Sequence, residues 1–180
     1  MNDLIPTDRI CELGPGKPNA ALRPKLAALT IEKLFAGKPI IDHNAARCCL
    51  SALWLLHDFL DESHTISQEI ETADGSYWHG IMHRREPDFF NSKYWFRRVG
   101  NHAVFPALLT QAKELIAAEK PIDDIAVEIA RAKSWDPYRF VDWCEQLANA
   151  QAKQELLARK IAQAEWRLLF DNCFERAVAK

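Results

Sequence analysis

The stretch HNAARCCLSALWLLHDFL, residues 43–60, decides the fold. Ala46, Cys49, Leu50, Leu53, His57 and Leu60 recur at three- and four-residue intervals, the spacing that lines one face of an α-helix. Pro39 precedes it, and Asp42 occupies an N-cap position, where a carboxylate accepts an otherwise free backbone N–H of the first turn. The pattern predicts a helix over about residues 43–60, with His57 on its apolar face.

The same reading extends outward. On the N-terminal side, Pro24 suits a first helical turn, and Leu26, Leu29, Leu34 and Phe35 lead to a stop at Gly37. Residues 1–22 carry Pro6, Gly14, Pro15, Gly16 and Pro18 and read as tail or loop. On the C-terminal side, Asp74-Gly75-Ser76 reads as a turn before a helix over 77–85, which Pro87 ends. Asn91-Ser92 would cap a short helix that stops at Gly100, and a helix over about 104–119 follows. Ile122, Ile125, Ile129 and Ala132 mark the next one, and Asp136-Pro137 opens a long segment that a bend near 148–152 divides in two. In the last piece Leu157, Ile161, Ala164 and Leu168 share a face. No stretch alternates with period two between turns. The expectation is an all-α, compact single-domain bundle of about six to eight helices over residues 23–180, with a long C-terminal helix. That helix is a candidate homodimer face, although packing on its own domain is the preferred reading.

Composition narrows the function classes. A chain of 180 residues is long enough for one domain with a real core. A net charge of −2 exerts no general pull on nucleic acid or anionic lipid. CCLSALWLL is the longest apolar run and falls short of the ~18–20 residues of a membrane span, so no membrane partner is expected. The first residues lack the basic and apolar regions of a signal peptide, which suggests a cytoplasmic protein. Five cysteines with no CxxC spacing read as reduced, buried thiols.

All six histidines lie between His43 and His102. His57, Asp61 and His64 stand at i, i+4 and i+7, and His79, His83 and Glu86 repeat that spacing. On helices, two such faces set together would form a metal or acid/base cage. The catalytic candidates are therefore His57, Asp61, His64, His79 and His83. The metal-ligand candidates are His57, His64, His79, His83 and Glu86, for a divalent ion such as Zn, Mn, Fe or Ni. Between residues 77 and 98, seven aromatics interleave with two histidines and five basic residues. Tyr77, Trp78, Arg84, Arg85, Tyr94, Trp95, Arg97 and Arg98 are the candidate ligand-binding wall, suited to a planar or anionic ligand.

Residues 57–68 read HDFLDESHTISQ, and a block beginning at Asp74 reads DGSYWHGIMHRREPDFFNSKYWFRRVG. This text resembles a family of uncharacterised proteins that share HDxLxxSHxISQ followed by DGxYWHxIMHRREPDxxNSKYWFRRVG. The resemblance covers about residues 53–106. It implies where a site lies and brings no activity with it.

Three functional readings follow. The first is a pocket that binds a small anionic metabolite, and hydrolyses or otherwise transforms it, with a divalent metal. The second needs no metal: Asp58 or Asp61 orients His57 or His64 as general acid or base, and arginines hold the anion. The third is a non-catalytic protein–protein interaction module using the Trp/Tyr/Arg face. Nucleic acid ranks below these partners, because Arg84 to Arg98 form only a modest basic patch. No nucleophile elbow, phosphate loop or dinucleotide fingerprint occurs.

Overall fold

A computed structural model of the chain describes residues 4–6, 9–119, 123–149 and 155–178. Among these residues there are ten α-helices and no strand; Ile40 and Val178 form one isolated antiparallel bridge. The all-α class is observed, with more helices than the six to eight expected, for two local reasons. The helix expected over 24–35 is two, α1 (Arg23–Ala27) and α2 (Ile31–Leu34), because Thr30 is extended and its hydroxyl accepts the Lys33 N–H at 3.3 Å. The helix expected over 43–60 stops early as α3 (His43–Leu56), and a separate α4 (Leu60–Ser67) follows.

The break at residues 57–59 is a helix-ending turn with every part identifiable. Asp58 takes a left-handed backbone, φ 65°. Its N–H donates to the Leu55 carbonyl at 3.1 Å, and the Phe59 N–H donates to the Trp54 carbonyl at 3.0 Å. The Trp54 and Phe59 rings meet edge to face at 5.2 Å. These are the two reverse bonds and the apolar contact of a Schellman motif, with Asp in the place usually held by Gly. Asp42 does cap α3, accepting the Ala45 N–H at 2.9 Å.

Six helices complete the bundle: α5 (Ala73–Arg85), α6 (Phe89–Val99), α7 (Phe105–Ala117), α8 (Asp124–Arg131), α9 (Pro137–Asn149) and α10 (Glu155–Ala177). Thr72 caps α5 through the Gly75 N–H at 3.1 Å, so the expected turn at 74–76 is the first turn of the helix. Asp88, rather than Asn91-Ser92, caps α6. The bend expected near 148–152, and Ile122 of the expected α8 stripe, fall largely outside the described residues.

α5 is the central element. It packs on α3, α4 and α6, while α10 runs along α3 and α7. Every residue from Asp74 to Arg85 is buried, polar ones included. Each buried charge of α5 has an opposite partner. At its start, Asp74 accepts from His102 Nε2 at 2.9 Å, from Asn172 at 3.2 Å and from Arg176 of α10. At its end, Arg84 pairs with the fully buried Glu165 of α10, which also accepts the Tyr77 hydroxyl at 2.9 Å. Arg85 donates to Asp58 at 2.5 Å and to the carbonyls of Leu55, Gly14 and Pro15 at 2.7, 3.1 and 3.1 Å.

The same residues dock the irregular segment before α1. Asp58 receives Arg9 at 2.6 Å, and His57 Nε2 lies 2.9 Å from the Leu4 carbonyl. Leu4, Cys11 and Leu13 join the core. Gly16 passes close to Asp58 at φ +73°, where a Cβ would sit 2.6 Å from the Asp58 carboxyl carbon, so only glycine fits. All five cysteines are free and buried, and burial pushes the Cys144 thiol up to about 12, as suits an inert core thiol.

Glu165→Ala removes the carboxylate from a buried arginine and the acceptor from a buried tyrosine. Urea denaturation should show a loss of about 3–5 kcal/mol. A loss below about 1 kcal/mol would mean that the ion pair does not hold α5 to α10.

Candidate metal centre

His64 comes from α4, and His79 and His83 stand one turn apart on α5. Gln68 to Thr72 turn the chain back, with Ile70 buried at the corner, so that α5 returns along α4. The three imidazoles converge. One ligand atom of each lies within 4.8 Å of the others, the only such group of three among the described residues. Ring centroids are 4.7 Å apart for His64–His79, 4.6 Å for His79–His83 and 5.4 Å for His64–His83. Metal–nitrogen bonds of about 2.0–2.1 Å at tetrahedral angles put two nitrogens about 3.3 Å apart. The three ligand atoms, within 4.8 Å of one another, would draw together toward that spacing around an ion.

α6 walls the trio. Ser92 donates to the Gly80 carbonyl at 2.7 Å, and a Cβ on Gly80 would already lie 3.2 Å from the Phe96 ring. This close approach of α5 and α6 lays Trp95 against His79 at 4.1 Å between centroids. His79 and His83 are buried, while His64 is half-buried and forms the solvent side.

Hydrogen bonds set which nitrogens are free. Ser67 Oγ lies 3.0 Å from His79 Nδ1 and 3.3 Å from the His64 carbonyl. With the hydroxyl proton on that carbonyl, His79 Nδ1–H donates to Ser67 and Nε2 keeps its lone pair. Glu86 lies 3.0 Å from His83 Nδ1, and a carboxylate there holds the proton on Nδ1 and the lone pair on Nε2. Such outer partners orient metal-binding histidines in known centres. Burial, reinforced by the neighbouring imidazoles His83 and His64, holds His79 down at about 3. Burial also lowers His83, against the opposing pull of Glu86. Both rings are therefore neutral at pH 7, the form that binds metal.

The structure separates the other expected site residues from this trio. His57 is not part of it: the turn at Asp58 rotates the chain between α3 and α4, and His57 joins the Leu4 carbonyl instead. Asp61 lies exposed on α4. Glu86 sits behind His83, on the nitrogen that the trio does not need. Tyr77 and Trp78 are core side chains, Tyr77 on Glu165 and Trp78 against Trp166 at 6.1 Å. Arg84 and Arg85, expected to hold an anion, are committed to Glu165 and Asp58, and Arg84 also lies over Phe140 at 4.7 Å. Arg97 and Arg98 are exposed; Arg98 lies over Trp95 at 5.2 Å, one ring removed from His79. Tyr94 is exposed and edge-on to Trp95. Two residues that pattern reading passed over belong to the site: Ser67, and Asn91, whose amide nitrogen lies 3.1 Å from His83 Nε2. Ser67 stands three residues after His64 on the same helix, a signal available in the sequence; Asn91 had none. The C-terminal helix α10, considered as a dimer face, buries Leu157, Ile161, Trp166, Leu169 and Phe170 within its own chain.

Among known proteins, no family model matches the chain, and no curated protein or solved structure matches it significantly.

The pH dependence of stability follows from these histidines. Burial lowers His57 as it does His79 and His83. A lowered folded-state value means that the unfolded chain binds protons first, so stability is full above the ordinary histidine value of about 6.5 and falls as pH drops below it. Chelator-treated protein should show a lower urea midpoint at pH 5.5 than at pH 7.5. An equal or higher midpoint at pH 5.5 would contradict the buried neutral state.

Proposed function

We propose that this chain binds a divalent transition-metal ion through His64, His79 and His83 and uses its open coordination position to bind and transform a small anionic metabolite. The observation that carries the reading is the convergence of three imidazoles, two of them buried and backed by Ser67 and Glu86. Three protein ligands plus an exchangeable position are the pattern of catalytic zinc sites. Imidazole suits zinc, nickel, iron and copper; with no sulfur in the set, soft-metal storage is not favoured. Neutral imidazoles leave the ion its full positive charge. An anion is then recognised by the metal itself, which accounts for Arg84 and Arg85 being spent elsewhere. The same charge lowers the pKa of bound water toward about 7, so hydrolysis or hydration is the reaction class that fits.

A second reading rests on α6. Phe90 is 88% exposed and Tyr94 44% exposed, with Arg97 and Arg98 also facing solvent. An aromatic and basic face of this kind suits a protein partner, and it would work without metal.

The metal reading is tested by elemental analysis of tag-free protein dialysed against one equivalent of zinc. Wild type and His57→Ala should each retain about one ion per chain, while His79→Ala and His83→Ala retain none and stay folded by circular dichroism. Retention by His79→Ala, or none by wild type, would leave the interaction reading in front.

A further inference from the structure

The three imidazoles are not held alike. His79 and His83 are 2% and 5% exposed, and each has an outer partner, Ser67 for the one and Glu86 for the other. Trp95 closes the α6 side of His79. His64 is half-buried on the solvent side, and its aromatic contacts are the other two imidazoles. Among the described residues no group hydrogen-bonds its ring. Its backbone, by contrast, is pinned to α3. The buried Ser51 hydroxyl donates to the carbonyl of neighbouring Ser63 at 3.0 Å, and the two hydroxyls lie 2.9 Å apart. The freedom of His64 is therefore in its side chain and not in α4.

We infer, resting on the metal reading above, that His64 is the swinging arm of the centre: ions enter and leave past it, while His79 and His83 stay in place as a fixed pair. A ring on a helix chooses between two staggered χ1 wells. For His64 a change of well breaks no hydrogen bond to the protein. For His79 or His83 it would break the bond to Ser67 or Glu86 and leave a void in the interior. The ligand that yields first is therefore His64.

Exchange then runs in one order. A small soluble chelate brings a nitrogen or oxygen donor to the solvent side. That donor bonds to the ion as the His64 nitrogen lets go with its lone pair; no proton or electron moves. The ion leaves the pair with the chelate, and loading is the reverse. No carboxylate belongs to the trio, so neutral donors alone retain the ion. The preset tautomers of His79 and His83 keep the empty pair ready for the next one. Occupancy of the centre thus follows the supply of chelated metal.

Free imidazole tests this, with cobalt(II) as the ion because its visible absorption reports the number and kind of ligands. The full chain is titrated as wild type, His64→Ala and His79→Ala, and unloading is timed after excess EDTA. Wild type should bind one cobalt. His64→Ala should bind it roughly 10–100-fold more weakly, the range seen when a metal ligand loses its support, and unload faster. Imidazole, filling the vacated position from solvent, should restore the wild-type band and slow unloading again. His79→Ala should bind none, with or without imidazole. The arm would be overturned by a His64→Ala protein that binds and unloads like wild type, by one that imidazole does not restore, or by equal rescue of His79→Ala. No cobalt bound by wild type would overturn the metal reading as well. Should His64→Ala fail to fold, diethyl pyrocarbonate on wild type decides. Without cobalt, His64 should be modified ahead of His79 and His83; with cobalt it should be protected while exposed His43 still reacts. Equal rates at the three, or no protection of His64, ends the inference.

Discussion

The buried charges of α5 are the constraint on which the molecule depends. A helix that is covered from Asp74 to Arg85 cannot leave a carboxylate or guanidinium unpaired, because an isolated ion in the interior costs several kcal/mol. Asp74 therefore binds His102 and Arg176, Arg84 binds Glu165, and Arg85 binds Asp58. Two of these partners lie on α10 and one at the turn after α3, so the pairs fix α5 in both rotation and height. Apolar packing alone would tolerate a slip of the helix; a buried ion pair would not.

That fixed rotation brings the three histidines together. With Tyr77 and Arg84 turned to α10, His79 and His83 must face the opposite side, toward α4 and α6. His64 meets them there, Trp95 covers His79, and Ser67 and Glu86 hold the outer nitrogens. The burial that demands ion pairs for the arginines also keeps His79 and His83 neutral, so one environment serves both ends of the helix. In this sense the arginines contribute to the site by position and not by contact.

The pair His57-Asp58 shows how a suggestive dipeptide can be structural. Asp58 takes the left-handed residue of the turn, receives Arg9 and Arg85, and forces glycine at position 16; His57 secures Leu4. Together they dock the segment before α1 on the core. The turn they make is also what frees α4 to take its own direction and bring His64 to α5.

The sequence by itself determined the helical class, because periodicity of apolar residues is a local property: the stripe from Ala46 to Leu53, the cap at Asp42 and the opening at Asp136-Pro137 were all legible and all occur. It also singled out His79 and His83 by their one-turn spacing and His57 and His64 by their i, i+7 spacing, and the imidazoles of His64, His79 and His83 converge. Tertiary structure decided the rest. Whether His57 continued a helix depended on Asp58 entering a left-handed turn stabilised by Arg9 and Arg85, residues distant in sequence. Which arginines were free depended on Glu165, more than eighty positions away and one of several charged residues on α10, with no sign in the sequence that it alone is fully buried. In α5 the polar residues are buried in pairs, so no stripe marks an inner face, and spacing cannot tell a ligand from a structural partner. That distinction is made only when the other helices arrive, because it rests on which opposite charge each buried group meets.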